Sequence, residues 1–162
     1  MAETSATPGE AVGIDALRGL VGEWSGNYRL WLEPGELRCE SATHCAAQEV
    51  LGGVFVRLDY DWVDLDGPQS GSMLLGRTDD GTWQLCWVDT WHTARSMMLS
   101  TGSETFEVRC NYGPPEEPWG WRTTIETHGS DEMVITAWNV TPDGVESKAT
   151  EATYLRIGSA RS

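Results

Sequence analysis

The sequence predicts an all-β fold: a single antiparallel up-and-down β-barrel of about ten strands, calycin- or lipocalin-like in kind, preceded by one short helix. Three observations predict it. Apolar residues alternate with period two along most of the chain after residue 22. Turn signals rich in Gly, Pro and Asp recur at short, regular spacing, so that neighbours in sequence pair in space as a meander. No internal repeat of propeller length interrupts the pattern. A flat meander of about ten strands exposes two edges and curls, whereas closure removes the edges. A β-sandwich is the alternative architecture.

Taken in order, residues 1–12 are small and acidic and read as a leader without structure, followed by a barrel domain over residues 13–158 and a tail over 159–162. Ile14, Leu17, Leu20 and Val21 recur at helical spacing, which predicts a helix over residues 14–20 ended near Gly22. On the first strand Trp24, Gly26, Tyr28, Leu30 and Leu32 share one face, and Pro34-Gly35 turns the chain. A weakly alternating strand over 38–50 ends at Gly52-Gly53. Val54, Val56, Leu58, Tyr60 and Trp62 define the third strand and Asp66-Gly67-Pro68 its turn. Residues 70–78 form the fourth, closed by the hairpin signal Asp79-Asp80-Gly81. Trp83, Leu85, Trp87, Asp89 and Trp91 follow on one face of the fifth. Strands near 94–101, 105–112, 119–127, 132–140 and 145–156 complete the meander, with Gly113–Pro118 as a loop.

The length of 162 residues suits one domain with its own core. A net charge of −14, dispersed along the chain, argues against nucleic acid and against an anionic membrane surface as partners. Met1–Glu10 lacks the basic and apolar regions of a signal peptide, and no run of about 18 apolar residues occurs, so a cytoplasmic location is expected. Cys39, Cys45, Cys86 and Cys110 form no CxxC pair, which gives no zinc signal and predicts free thiols. His44, His92 and His128 are scattered and show no metal-ligand spacing; His92, at a strand end, reads as an exposed turn histidine, the alternative being a side chain pointed at a barrel mouth.

The stretch Leu17–Gly26, LRGLVGEWSG, is similar to the opening of small calycin-type barrels. Pro34-Gly35, Glu40, Glu49, Leu51-Gly52-Gly53, Phe55, Gly71, Gly76, Trp87-Val88-Asp89, Glu151, Tyr154 and Arg156 follow in the order seen in the domain of unknown function 1579. The chain resembles that family over residues 14–157, and the resemblance implies a lipocalin-like fold without supplying an activity. Nitrobindin-type haem barrels are more distantly similar. Their iron is held by a histidine on the last strand, where this sequence has none and Tyr154 stands instead.

Nine Trp against two Phe make the indoles the most informative feature. Trp24, beside the helix, reads as a plug, with Arg156 stacked over it. Trp62, Trp83, Trp87, Trp91 and Trp121, with Tyr28, Tyr60 and Asp89, are the candidate ligand-binding residues, forming an aromatic box in a barrel lumen. A pocket is expected rather than a lumen filled by its own side chains. Asp89, inward among indoles, is expected to have a raised pKa unless Arg95 or Arg122 pairs with it. The leading expectation is a binding protein for a small hydrophobic or aromatic molecule, with no metal and no cofactor; the alternatives are a cavity enzyme of isomerase or cyclase type, working through an Asp or His acid/base, and a haem binder. A homodimer is left open.

Overall fold

Trp24 sets the geometry of one end of the molecule, whose computed structural model describes residues 15–158. Its indole is 1% exposed and donates Nε1–H to the carbonyl of Leu20, 2.9 Å away, at the end of the helix α1 (residues 15–20). Leu17 and Leu20 of α1 are buried against the core, so the helix is a cap. Arg156 lies over the Trp24 ring at 4.1 Å and donates to the carbonyls of Gly19, Val21 and Ser130. One guanidinium thereby ties the last strand to the cap, in the position the sequence suggests for it. The expected leader and tail, and the first residue of the expected helix, lie outside the described residues.

Ten antiparallel strands follow: β1 (Gly22–Glu33), β2 (Glu36–Val50), β3 (Phe55–Asp64), β4 (Gly67–Arg77), β5 (Trp83–Asp89), β6 (Met98–Gly102), β7 (Glu107–Tyr112), β8 (Trp119–His128), β9 (Glu132–Val140) and β10 (Glu146–Arg156). Each pairs with its sequence neighbour, and β1 pairs with β10, which closes the barrel. The closing seam depends on Gly26. A Cβ there would lie 1.7 Å from the Thr153 carbonyl oxygen, so only glycine lets β1 and β10 approach this closely. The alternation read from sequence is the one that turns inward: Trp24, Tyr28 and Leu30; Val56, Leu58, Tyr60 and Trp62; Trp83, Leu85 and Trp87 are all buried.

Antiparallel pairing also sorts the interior by height. The start of β1, the start of β5 and the end of β10 meet at the α1 end, where Trp83 packs edge-on against Phe106 at 4.8 Å. The ends of β3 and β5 and the starts of β4 and β8 meet at the opposite end.

The fifth and sixth strands depart from the sequence expectation. The fifth strand stops at Asp89 rather than running on to Trp91, and the sixth begins at Met98 rather than near 94. The cause is local. Asp89 Oδ1 accepts the backbone N–H groups of Trp91, His92 and Thr93, while Thr93 Oγ1 bonds both the Asp89 N–H and its carbonyl. These bonds fold residues 90–95 into a compact turn, completed by Ala94 with φ +52°.

Candidate functional site

The interior holds one aromatic wall and one wall of small residues. The rings of Tyr28, Tyr60, Trp87 and Trp121 and an arc of small residues on β8–β10, Thr123, Ala137, Thr150 and Ala152, line one internal space, with Met73, Ile135 and Tyr154 completing the lining. Tyr28 stacks on Trp62 at 4.5 Å, and Trp87 stacks on Trp121 at 5.0 Å. Trp87 donates Nε1–H to Tyr60 Oη at 2.8 Å, and Tyr154 Oη shares a 3.1 Å hydrogen bond with Thr43. The space between the walls that is open to the centre of a water-sized sphere is about 20 Å³. Roughly 10–15 Å³ of such space holds one water. The lumen is therefore packed more tightly than the expected open pocket, because large rings from β1, β3, β5 and β8 project into it together.

Above this space, at the end away from α1, the 90–95 turn closes the barrel. His92 is not an exposed turn residue: its side chain is 10% exposed. Its ring centroid lies 4.6 Å from Trp91, 5.3 Å from Trp87, 5.6 Å from Trp121 and 6.2 Å from Trp62. Nδ1 is 2.6 Å from Asp89 Oδ2, and the Asp89 side chain is fully buried. Burial alone would raise the Asp89 carboxyl, but the His92 hydrogen bond and charge, with the backbone N–H donors, outweigh it and hold the group below its ordinary value. This corrects the sequence expectation of a raised pKa relieved only by Arg95 or Arg122. Arg122 instead forms a two-point bond with Glu146 and stacks over Trp138 at 3.7 Å.

Trp91 belongs to the same closure. It donates Nε1–H to Asp64 Oδ2 at 3.2 Å, and Asp64 is held by both nitrogens of a forked Arg38 at 2.9 Å. Arg38 also lies over the Trp91 ring at 5.6 Å. This hydrogen bonding holds the Asp64 carboxyl well below the usual range.

The eight candidate residues thus separate by height. Tyr28, Tyr60, Trp87 and Trp121 line the open space; Trp62, Trp91 and Asp89 belong to the closure above it; Trp83 lies in the α1-end core. His92, central to the closure, is not among the eight, because the sequence reads it as an exposed turn residue. Three buried side-chain polar atoms among the described residues have no hydrogen-bond partner: Trp62 Nε1, His92 Nε2 and Thr124 Oγ1.

The match to a family model for the protein of unknown function DUF1579 spans residues 15–156. The chain belongs to the DUF1579 family. No curated protein matches it. Two solved structures resemble this DUF1579 barrel. The crystal structure of Rv2717c from M. tuberculosis superposes with a TM-score of 0.60 at 15% identity, over 94% of this chain and 99% of the other. The S-type phycobiliprotein lyase CPES from Guillardia theta gives 0.54 at 13%, over 90% and 93%. At these identities the shared feature is the fold.

Tyr154 of the DUF1579 barrel does not suit a ferric haem iron. Burial, then the nearby Cys45, pushes the Tyr154 phenol far up, and its oxygen is engaged by Thr43. A tyrosinate ligand needs the opposite environment. No group of three or more His, Cys, Asp or Glu able to hold a metal occurs among the described residues. None of their helices is long and apolar enough to cross a membrane.

Proposed function

We propose that the barrel binds a small, planar, largely apolar molecule bearing one polar group, admitted at the end closed by the 90–95 turn. The observation that carries this reading is the pair of buried nitrogens, Trp62 Nε1 and His92 Nε2, left without partners in the closure, where the His92 ring packs on Trp87 and Trp121, the two indoles that line the internal space beneath. A core built only for stability gains nothing from such a pair, since each unpaired buried polar group costs about 1–3 kcal/mol. A ligand oxygen or nitrogen meeting them relieves that cost, and the flat indole and phenol faces suit a ring. A ring does not fit into about 20 Å³, so entry requires a side chain to rotate. Trp87 and Trp121 both line the space and contact His92, and Trp121 is the one whose rotation joins the two regions, because Trp87 is held by its bond to Tyr60 Oη.

A net charge of −14 favours such a ligand over nucleic acid or an anionic membrane, and four free thiols suit the cytoplasm. Titration with anilinonaphthalene sulfonate, indole and naphthalene while following Trp fluorescence tests the reading. A saturable change is expected, and it should disappear in Ala137→Leu, which fills the small-residue wall, when that variant keeps the native circular dichroism. Silence across all three compounds overturns the reading.

A further inference from the structure

We propose that Asp89 and His92 form a proton-accepting dyad, and that the molecule taken into the barrel is a planar conjugated compound with an acidic hydroxyl, a phenol or an enol. The proposal rests on the lumen-binding reading above and assigns the chemistry of its polar end. Asp89 Oδ1 accepts three backbone N–H groups, so the carboxylate cannot turn, and Oδ2 is directed to His92 Nδ1 at 2.6 Å. The carboxyl is held below its ordinary value and is ionised at neutral pH, so it accepts. Nδ1 therefore carries the ring proton, and Nε2 carries the lone pair. That nitrogen is buried and has no partner.

The 90–95 turn does not need this arrangement. Oδ1 and the Thr93 hydroxyl make the turn without Oδ2 or the imidazole, and an apolar ring at position 92 would fill the same place among four indoles with no stranded nitrogen. What the imidazole adds is basicity in a site that excludes water. The charged groups near the cluster are Asp89 itself and, beyond the Trp91 ring, Arg38 with Asp64 and the exposed Asp66, while the Tyr28 and Tyr60 phenols, pushed up by burial and by Asp89, stay neutral. An imidazolium formed here is stabilised by ionised Asp89 at 2.6 Å and by the surrounding indole faces.

The step is a single proton transfer. The ligand O–H bond breaks, its electron pair stays on the oxygen, and the proton bonds to Nε2 through the nitrogen lone pair. Nδ1 keeps its proton and its bond to Asp89. Neutral imidazole and neutral hydroxyl become an imidazolium–phenolate pair. Trp62 Nε1–H, the other unpaired nitrogen of the cluster, is a donor suited to the new oxyanion.

The test uses 3-nitrophenol, whose phenolate is coloured and whose lower acidity allows work above about pH 7 where an ordinary imidazole is neutral, and nitrobenzene, which has no proton to give, with the full chain about one pH unit below the solution pKa of the phenol. The native protein is expected to bind both and to produce the phenolate band. His92→Gln, which cannot take a proton, should bind both without the band; Asp89→Asn, which offers an N–H to Nδ1 and moves the ring proton to Nε2, should lower the ionised fraction about tenfold or more. If both compounds bind and the phenol stays neutral, the dyad is overturned while lumen binding stands. If neither binds, lumen binding falls, and ¹⁵N NMR of the imidazole in the native chain decides the dyad. An Nδ1–H tautomer with bare Nε2 supports it, and an Nε2–H tautomer overturns it.

Discussion

Tyr60→Phe isolates one hydrogen bond inside the lumen and changes almost nothing else. Tyr60 is 7% exposed, and its Oη accepts from Trp87 Nε1 at 2.8 Å. The phenol occupies that place because its neighbour across the ladder is Gly71, where a Cβ would fall 2.3 Å from Oη. Removing the oxygen takes away a net ~1 kcal/mol and strands the N–H of an indole that is only 4% exposed, at about 1–3 kcal/mol. The adjoining space of about 20 Å³ admits a water that can take over the acceptor role, which holds the loss toward the lower end. We expect about 1–2 kcal/mol, a fall in Tm of about 2–8 °C for a chain of this size. Thermal and urea unfolding measure it, and a double-mutant cycle with Trp87→Phe should give a coupling of about 1 kcal/mol. Unchanged stability in Tyr60→Phe, or strict additivity in the cycle, would refute the pairing of phenol and indole as the element that positions the aromatic wall.

Four further outcomes follow from the same packing. Gly26→Ala should lose about 2–4 kcal/mol in denaturant unfolding, because its Cβ would meet the Thr153 carbonyl at 1.7 Å across the closing seam. Arg156→Lys should lose about 1–2 kcal/mol, since an ammonium cannot serve three carbonyls and stack on Trp24, whereas Arg29→Lys on the exposed surface should stay within about 0.5 kcal/mol. Burial raises the Tyr28, Tyr60 and Tyr154 phenols, so the native state holds protons that the unfolded chain releases above pH ~10. Stability is complete below that pH and falls above it by about 1.4 kcal/mol per pH unit for each tyrosine, so phenolate absorbance should rise with unfolding rather than before it. Cys45, pushed up to about 12 by burial, should react with a thiol reagent only as the chain opens.

Much of this fold was legible because a period of two survives wherever one face of a strand is buried. Strand number, order and inward phase follow from it, and so does the cap: once Trp24 is inward on the first strand, the last strand must close against it and bring Arg156 near. Height along the barrel axis was not legible. Alternation puts Trp83 and Trp87 on one face alike, yet register places Trp83 opposite Gly102 at the α1 end and Trp87 opposite Met98 near the other. Four residues of strand separate a core indole from one that lines the lumen, about 13 Å at 3.3 Å per residue.

The closure escaped sequence reading for a different reason. Asp89-Thr90-Trp91-His92-Thr93 continues the apolar alternation in letters, with Trp91 two places after Asp89, so the pattern reads as a strand running on. Asp followed by Thr residues is also the composition of a side-chain-capped turn, and the two signals compete. The turn wins because a buried carboxylate must find donors, and the nearest are the N–H groups that the chain supplies only by folding back over it. In doing so the chain carries the Trp91 and His92 rings over the lumen, where strand geometry would have set Trp91 on the wall and His92 outside. A period-two pattern reports which way side chains face while the backbone is extended. It carries no information about a polar side chain that ends the strand, and such a residue is where this barrel concentrates its unpaired nitrogens.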